Sequence, residues 1–204
     1  MVLDITFIVL SSLIILSLIP LYIYRKEVFK SIYKKGEINL FIRDLKLHMQ
    51  THHPKININY SIIKKTETEK DIRIRETLIV ENILNQFFNY NYNKETQIDI
   101  KRENHWSGYE ENSKSNPKSP IDWQKRKEFS WKRDNGKCNR CGQEIHIKDS
   151  ITVYVKDIKN GGGYNFENLI NLCSDCNKII HSKNQNSTIS NLILNDKLMF
   201  FVES

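Results

Sequence analysis

Two Cys-x-x-Cys pairs constrain the fold of this 204-residue chain more than any other feature of its sequence. The pairs are Cys138/Cys141 and Cys173/Cys176, and they contain every cysteine in the chain. Each pair can form a tight knuckle, and together they can supply the four tetrahedral ligands of a structural Zn²⁺. Two disulfides or four unconnected thiols are the alternatives. The spacing favours the zinc site.

Three further motifs surround these cysteines. The run RDNGKC ends at Cys138 and is followed by Cys141-Gly142, the glycines 161–163 precede Asn168-Leu169, and LCSDCN ends at Asn177. These motifs resemble the "RDggkC..CG", "GG…NL" and "LC..CN" segments of the HNH endonuclease family, over about residues 121 to 183. The resemblance implies a treble-clef ββα-metal fold, which is a zinc-bound α+β domain.

The resemblance also implies residues for the hydrolysis of DNA phosphodiester bonds. Members of the family use a histidine as general base, a divalent cation at the phosphate, and an asparagine that braces the strand carrying the base. Asn168 matches the bracing asparagine, and Asn177 matches the metal position on the helix. His181 follows four residues later and is expected on the same side of that helix.

The leading histidine pair of the family is absent from this sequence. Counting back from the glycines places the base position on Tyr154 or Val155, and a shorter loop places it on Lys156-Asp157. Near pH 7 a tyrosine is almost wholly protonated and an aspartate is a weak base. Asp157 could instead bind Mg²⁺ or Mn²⁺ together with the two helix residues. The candidate functions are therefore an endonuclease with an unusual base, a degenerate DNA-binding module, and a zinc-stapled interaction domain at a membrane.

The chain is basic, with a formal net charge of +7, which favours nucleic acid or an anionic membrane surface as partner. A helix predicted over 122–132, with Asp122 as N-cap, leads into the first knuckle and concentrates this charge. The candidate contacts to DNA phosphates are Lys125, Arg126, Lys132 and Arg133. A merely solvated basic face is the alternative.

The segment from Ile5 to Tyr24 contains no charged residue and is long enough to cross a hydrocarbon core of about 30 Å as a helix. It predicts a single transmembrane helix, with a buried core helix as the alternative. Basic residues follow this segment, so the positive-inside rule places the remaining chain in the cytoplasm. Thiols stay reduced there, in agreement with zinc ligation.

The intervening segments carry weaker signals. Apolar periodicity predicts helices over 37–50 and 76–90, and alternation predicts a strand over 55–63. His48, His52 and His53 are expected to be exposed. Residues 91–120 are expected to form a surface loop that Trp106 and Tyr109 pin to the domain.

These signals predict five parts of the chain. They are a transmembrane anchor (1–24), a juxtamembrane α/β region (25–92), a linker or surface loop (93–120), an HNH-like zinc domain (121–186) and a C-terminal extension that packs back on the domain (187–204).

Overall fold

The computed structural model describes residues 5–24 and 38–203, so the start of the predicted juxtamembrane region lies outside the described residues. The chain divides into two compact units, residues 1–42 and 43–204. Helix α1 (Ile5–Ile23) belongs to the first unit, and its large apolar side chains from Leu10 to Tyr24 are exposed.

In the described part of the chain, no helix combines the length and the apolar character needed to span a membrane. The transmembrane helix predicted over 5–24 is therefore not confirmed. The cytoplasmic placement that was inferred from it stays a prediction.

The second unit is a helix-rich α+β structure with one small antiparallel sheet. Strand β1 (Ile151–Tyr154) pairs with β2 (Leu169–Leu172), so that Ile151 lies opposite Leu172 and Tyr154 opposite Leu169. All four residues of β2 are buried, because the sheet has elements packed over it. The helices, of which the first begins at residue 38, are α2 (Ile38–His52), α3 (Ile62–Lys65), α4 (Ile72–Asn89), α5 (Tyr109–Asn112), α6 (Trp123–Arg133), α7 (Ser174–Ile180), α8 (Gln185–Ser190) and α9 (Ile193–Glu203).

Helix α4 is the centre of the hydrophobic core. Asp71 is its N-cap, and the carboxylate accepts a hydrogen bond from the Arg73 backbone at 2.9 Å. One face of the helix is fully buried, and α9 packs against it. The predicted helix over 76–90 is therefore confirmed, with an earlier start. The prediction that the C-terminal extension packs back on the domain is confirmed as well.

The predicted strand over 55–63 is wrong. Ile56 and Ile58 are buried as their alternation requires, but the segment has no partner strand and ends in α3. The backbone of this segment instead forms hydrogen bonds with side chains and within turns. The Gln86 side chain on α4 accepts from the Asn59 backbone at 2.8 Å and donates to the Asn59 carbonyl at 2.9 Å. The Gln86 side chain thus makes the hydrogen bonds that a neighbouring strand would make in a sheet.

The expectation of exposed histidines is wrong for two of the three. His53 is 3% exposed and lies edge-on to Phe87 of α4, with 5.0 Å between the ring centroids. His48 is half-buried, 5.7 Å from the ring of Phe201 on α9. Burial, together with His48 and the neighbouring His52, lowers the pKa of His53 to about 3. The two helices cover the end of α2, which local sequence does not reveal.

The loop before α6 is pinned by its aromatic residues, as predicted. Trp106 donates its indole N–H to Asp122 at 2.7 Å. Tyr109 is 2% exposed and stacks on Phe166 with 5.9 Å between centroids. These contacts order a segment whose composition is that of a linker.

Candidate metal centre and nucleic-acid interface

Backbone geometry at two turns presents the four cysteines to one another. In the first knuckle, Gly142 has φ +81° and donates its N–H to the Cys138 carbonyl at 2.9 Å. Cys138 in turn donates to the Gln143 carbonyl at 2.8 Å. In the second, Cys173 is the N-cap of α7, and its sulfur accepts the Cys176 N–H at 3.4 Å. Glycine is needed in the left-handed region that closes the first turn.

The four cysteines are buried, and their sulfur atoms all lie within 4.8 Å of one another. The Sγ atoms of Cys141 and Cys173 are 3.8 Å apart. A tetrahedron with Zn–S bonds of about 2.3 Å has an S···S edge of about 3.8 Å, whereas a disulfide needs about 2.05 Å. The cluster therefore could hold a metal ion such as zinc, and the disulfide alternative does not fit it.

The four cysteine sulfurs interact strongly with one another. Hydrogen bonds from the three neighbouring thiols hold the pKa of Cys138 far below its ordinary value. Hydrogen bonding to the same Cys138 sulfur raises the pKa of the Cys141 and Cys176 thiols, because a second thiolate would lie beside the first. A divalent cation at the centre would bind all four as thiolates.

Arg140, inside the first Cys-x-x-Cys pair, is fully buried beside this cluster. Its guanidinium donates to the Cys176 sulfur at 3.6 Å and to the Phe87 carbonyl at 2.7 Å, at the C-terminal end of α4. Further contacts run to the carbonyls of Phe88 and Tyr90. A positive charge here offsets thiolate charge and the negative end of a helix dipole together. The sequence does not reveal this role, because a net charge counts a buried arginine like an exposed one.

Asn168 braces the loop that follows β1, as the sequence motif implies. Its amide accepts from the Lys156 backbone at 2.7 Å, and it donates to the carbonyls of Lys156 at 2.9 Å and Gly163 at 2.7 Å. A Cβ on Gly162 would lie 2.0 Å from the Lys156 carbonyl oxygen. The glycines are therefore required by the close passage of the two sides of the loop.

Three further candidate catalytic residues are Tyr154, Asp157 and His181. The Tyr154 side chain packs 6.0 Å from Trp123 and 5.8 Å from Tyr164, between ring centroids, and burial raises its pKa. Asp157 is exposed, and its carboxylate does not cap the turn that follows. His181 is exposed, and its Nδ1 lies 2.9 Å from the Asn177 carbonyl within the same helical turn. A tyrosine that is harder to ionise is a poor base.

Arg126, a predicted phosphate contact, is fully buried. All five of its N–H groups are used: two on the carboxylate of Asp122 at 2.8 and 2.9 Å, two on the carbonyls of Tyr164 at 2.6 Å and Tyr109 at 2.9 Å, and one on Ser113 at 2.9 Å. No donor remains for DNA. Burial would raise the pKa of Asp122, but hydrogen bonds from Arg126 and Trp106 outweigh it and hold the pKa below its usual value.

Arg133 also serves the fold. It donates to the carbonyls of Phe166 at 2.7 Å and Leu169 at 2.6 Å, and it pairs with Asp134. The two predicted lysines differ from both arginines, since their side chains are exposed. The ammonium of Lys125 lies 4.4 Å over the Trp106 ring, and that of Lys132 pairs with Glu128 at 2.6 Å.

Asn171, which sequence analysis did not single out, ties α6 to the sheet. It is fully buried, accepts from Thr152 at 2.9 Å and Ser150 at 3.2 Å, and donates to Asp134 at 2.8 Å. An asparagine within an otherwise apolar strand is the signal that could have identified it.

One comparison with known proteins supports the recognition made from the sequence. The HNH endonuclease family matches residues 138–183, the segment that contains both cysteine pairs, the sheet and α7. No curated protein and no solved structure matches the chain. The match indicates a nuclease or DNA-binding function for this segment, with a metal site that the four cysteines could provide.

Proposed function

We propose that this chain binds DNA through a zinc-stapled domain of the HNH type. The observation that carries the proposal is the buried cluster of four cysteines, which lies inside the segment that the HNH endonuclease family matches. Zn²⁺ bound there supplies folding energy and no chemistry, because four protein ligands leave no open position. The net charge of +7 favours a polyanionic partner.

The candidate hydrolytic site supports binding better than cleavage. One register places the general base on Tyr154, which packs among aromatic rings and has a raised pKa. The carboxylate of Asp157 is exposed and does not cap the turn that follows it. A binding function needs neither group, so it requires fewer conditions than a nuclease.

Phosphodiester hydrolysis is the second candidate, and one observation favours it. Asn168 holds both the N–H and the carbonyl of Lys156, which fixes the position of Asp157 next to it. The Asp157 carboxylate could bind Mg²⁺ or Mn²⁺ with Asn177 and His181, and such an ion would neutralise charge on a scissile phosphate.

The test of binding is the affinity of the full chain for a labelled DNA duplex, measured by fluorescence anisotropy at increasing salt. We expect the logarithm of the binding constant to fall linearly with the logarithm of salt concentration, because bound cations displace counterions from phosphates. Binding should also disappear after zinc is removed by a chelator, and return when zinc is restored. A chain that does not bind DNA at low salt would refute the proposal.

The test of cleavage is the nicking of supercoiled plasmid by the full chain with Mg²⁺ or Mn²⁺. Asp157→Asn and His181→Ala should abolish nicking while the chain still binds the duplex. Lys70→Gln is a control, since it alters an exposed side chain outside the candidate site and the predicted phosphate contacts. DNA binding without nicking in either metal would remove the second candidate and leave the first.

A further inference from the structure

The burial of Arg126 and Arg133 moves the search for phosphate contacts to another basic surface. Two segments of the second unit each carry exposed lysines that the proposed function has not used. They are 113–118, with the sequence SKSNPK, and 156–161, with the sequence KDIKNG. Lys114, Lys118, Lys156 and Lys159 are all exposed.

The fold holds these two segments side by side, although they are some forty residues apart in the chain. Tyr164 donates its backbone N–H to the Ser113 carbonyl at 2.8 Å. Ser115 donates its hydroxyl to the Ile158 carbonyl at 3.1 Å, and the Tyr164 hydroxyl donates to the Lys118 carbonyl at 3.2 Å. The lysines of both segments therefore belong to one surface, which we call the lysine surface (residues 113–118 and 156–161).

Glycine makes this contact possible. A Cβ added at Gly163 would lie 2.5 Å from the Ser113 carbonyl oxygen, which is closer than real Cβ contacts allow. The Tyr164 side chain is 2% exposed and pins the other end of segment 113–118. The lysine surface is thus built by fixed backbone contacts, so its charges keep a defined spacing.

The charges of the lysine surface are not neutralised within the fold. Its two segments contain four lysines and one acidic residue, Asp157, so the net charge is 4 − 1 = +3. None of the four lysines forms an ion pair with another residue in the described part of the chain. Lys132, on α6, is different because Glu128 holds it at 2.6 Å. Unpaired, exposed ammonium groups are free to contact phosphates.

We infer that the lysine surface, rather than the arginines of α6, contacts the phosphate backbone of duplex DNA. This inference rests on the proposed DNA-binding function and names the part of the domain that carries it. The surface includes Asp157 and part of the loop that Asn168 braces. Phosphates bound there lie next to the candidate hydrolytic site.

The test compares two triple variants that remove the same charge. Lys114→Gln/Lys118→Gln/Lys159→Gln removes three charges from the lysine surface, and Lys64→Gln/Lys65→Gln/Lys70→Gln removes three exposed charges elsewhere in the second unit. Lys156 is left unchanged because it adjoins the candidate catalytic residue. The full chain of each is titrated with a 20-base-pair duplex at several salt concentrations.

Each lysine–phosphate contact contributes about 0.9 to the slope of log K against log salt. We expect the first variant to lose about 3 from this slope and at least about tenfold in affinity at 100 mM salt, whereas the control keeps nearly the slope of the unchanged chain. The single variants Lys118→Gln and Lys159→Gln should each lose about 1. Because every altered side chain is exposed, circular dichroism spectra should be unchanged.

Three results would overturn the inference. Equal slopes in the two triple variants would show that only net charge matters, and the DNA-binding function would still stand. An unchanged chain that fails to bind the duplex would refute the function itself. If the chain bound vesicles containing phosphatidylserine through the lysine surface but did not bind DNA, the partner of this surface would be a membrane.

Discussion

Arg126 provides the sharpest test of the structure, because sequence places it on a DNA-binding face and the fold buries it. Replacement by methionine keeps most of the volume and removes the charge and all five donors. The carboxylate of Asp122, whose side chain is 12% exposed, then loses its counterion and keeps only the indole N–H of Trp106. The buried carbonyl of Tyr164 loses a donor at 2.6 Å.

Removing one partner of a buried ion pair costs about 3–5 kcal/mol, because the remaining charge stays desolvated. A domain of this size unfolds with roughly 5–15 kcal/mol, so the loss is a large fraction of its stability. At about 2–4 °C per kcal/mol, we expect the melting temperature of Arg126→Met to fall by roughly 6–20 °C. Urea unfolding followed by circular dichroism measures the free energy directly.

Lys125→Met is the matched control, since it removes one exposed positive charge from the preceding position and should change stability by less than about 0.5 kcal/mol. A cycle with Asp122→Asn should show that the two single losses are not additive, because both variants break the same pair. The buried role would be refuted if the Arg126→Met variant were as stable as Lys125→Met but bound DNA more weakly. That result would instead support Arg126 as a phosphate contact.

Three other predictions follow from the site. Elemental analysis should find about one zinc per chain, and Cys176→Ser should abolish this binding. The same variant should unfold the second unit, because structural zinc supplies about 10 kcal/mol or more of folding free energy. A zinc-free chain with an unchanged unfolding transition would contradict this. Asn168→Asp should cost about 1–3 kcal/mol and expose the loop at Lys156 to limited proteolysis, because both amide donors are lost; resistance equal to that of the unchanged chain would count against the bracing role. Burial lowers the pKa of His53 to about 3, so the unfolded state binds a proton at a higher pH than the folded state does. The free energy of unfolding should therefore fall by up to about 1.4 kcal/mol per pH unit as the pH drops from 6.5 toward 3. In urea unfolding at several pH values, His53→Leu should remove this part of the pH dependence, and an unchanged dependence would refute the prediction.

The cluster of four cysteines could be predicted because the spacing of Cys-x-x-Cys pairs is a local feature of the sequence. Two residues between thiols are enough to define a knuckle, whatever the rest of the chain does. The helix before the first knuckle was predicted within one residue of α6, because its apolar spacing is local. Asp122 does precede the helix, but its carboxylate binds Arg126 and Trp106 and makes no capping hydrogen bond. The Asn168 brace followed from the motif around the glycines.

The roles of the cations could not be predicted, because lysine and arginine count equally in a net charge. Arg126 and Arg140 are buried since a planar guanidinium can satisfy several carbonyls at once, and those carbonyls come from distant parts of the chain. The strand over 55–63 failed for a related reason. Alternating Ile56 and Ile58 report burial correctly, but a strand also needs a partner, and Gln86 supplies the bonds instead.

Arg140 has a consequence for anyone who wishes to express the HNH-matching segment by itself. One guanidinium holds both the last carbonyls of α4 and the sulfur of Cys176, so a fragment that begins at residue 121 would carry a buried cation with its main acceptors cut away. The HNH-matching segment is therefore not expected to fold as an isolated fragment. A shortened gene should retain everything from residue 38 onward, where α2 begins.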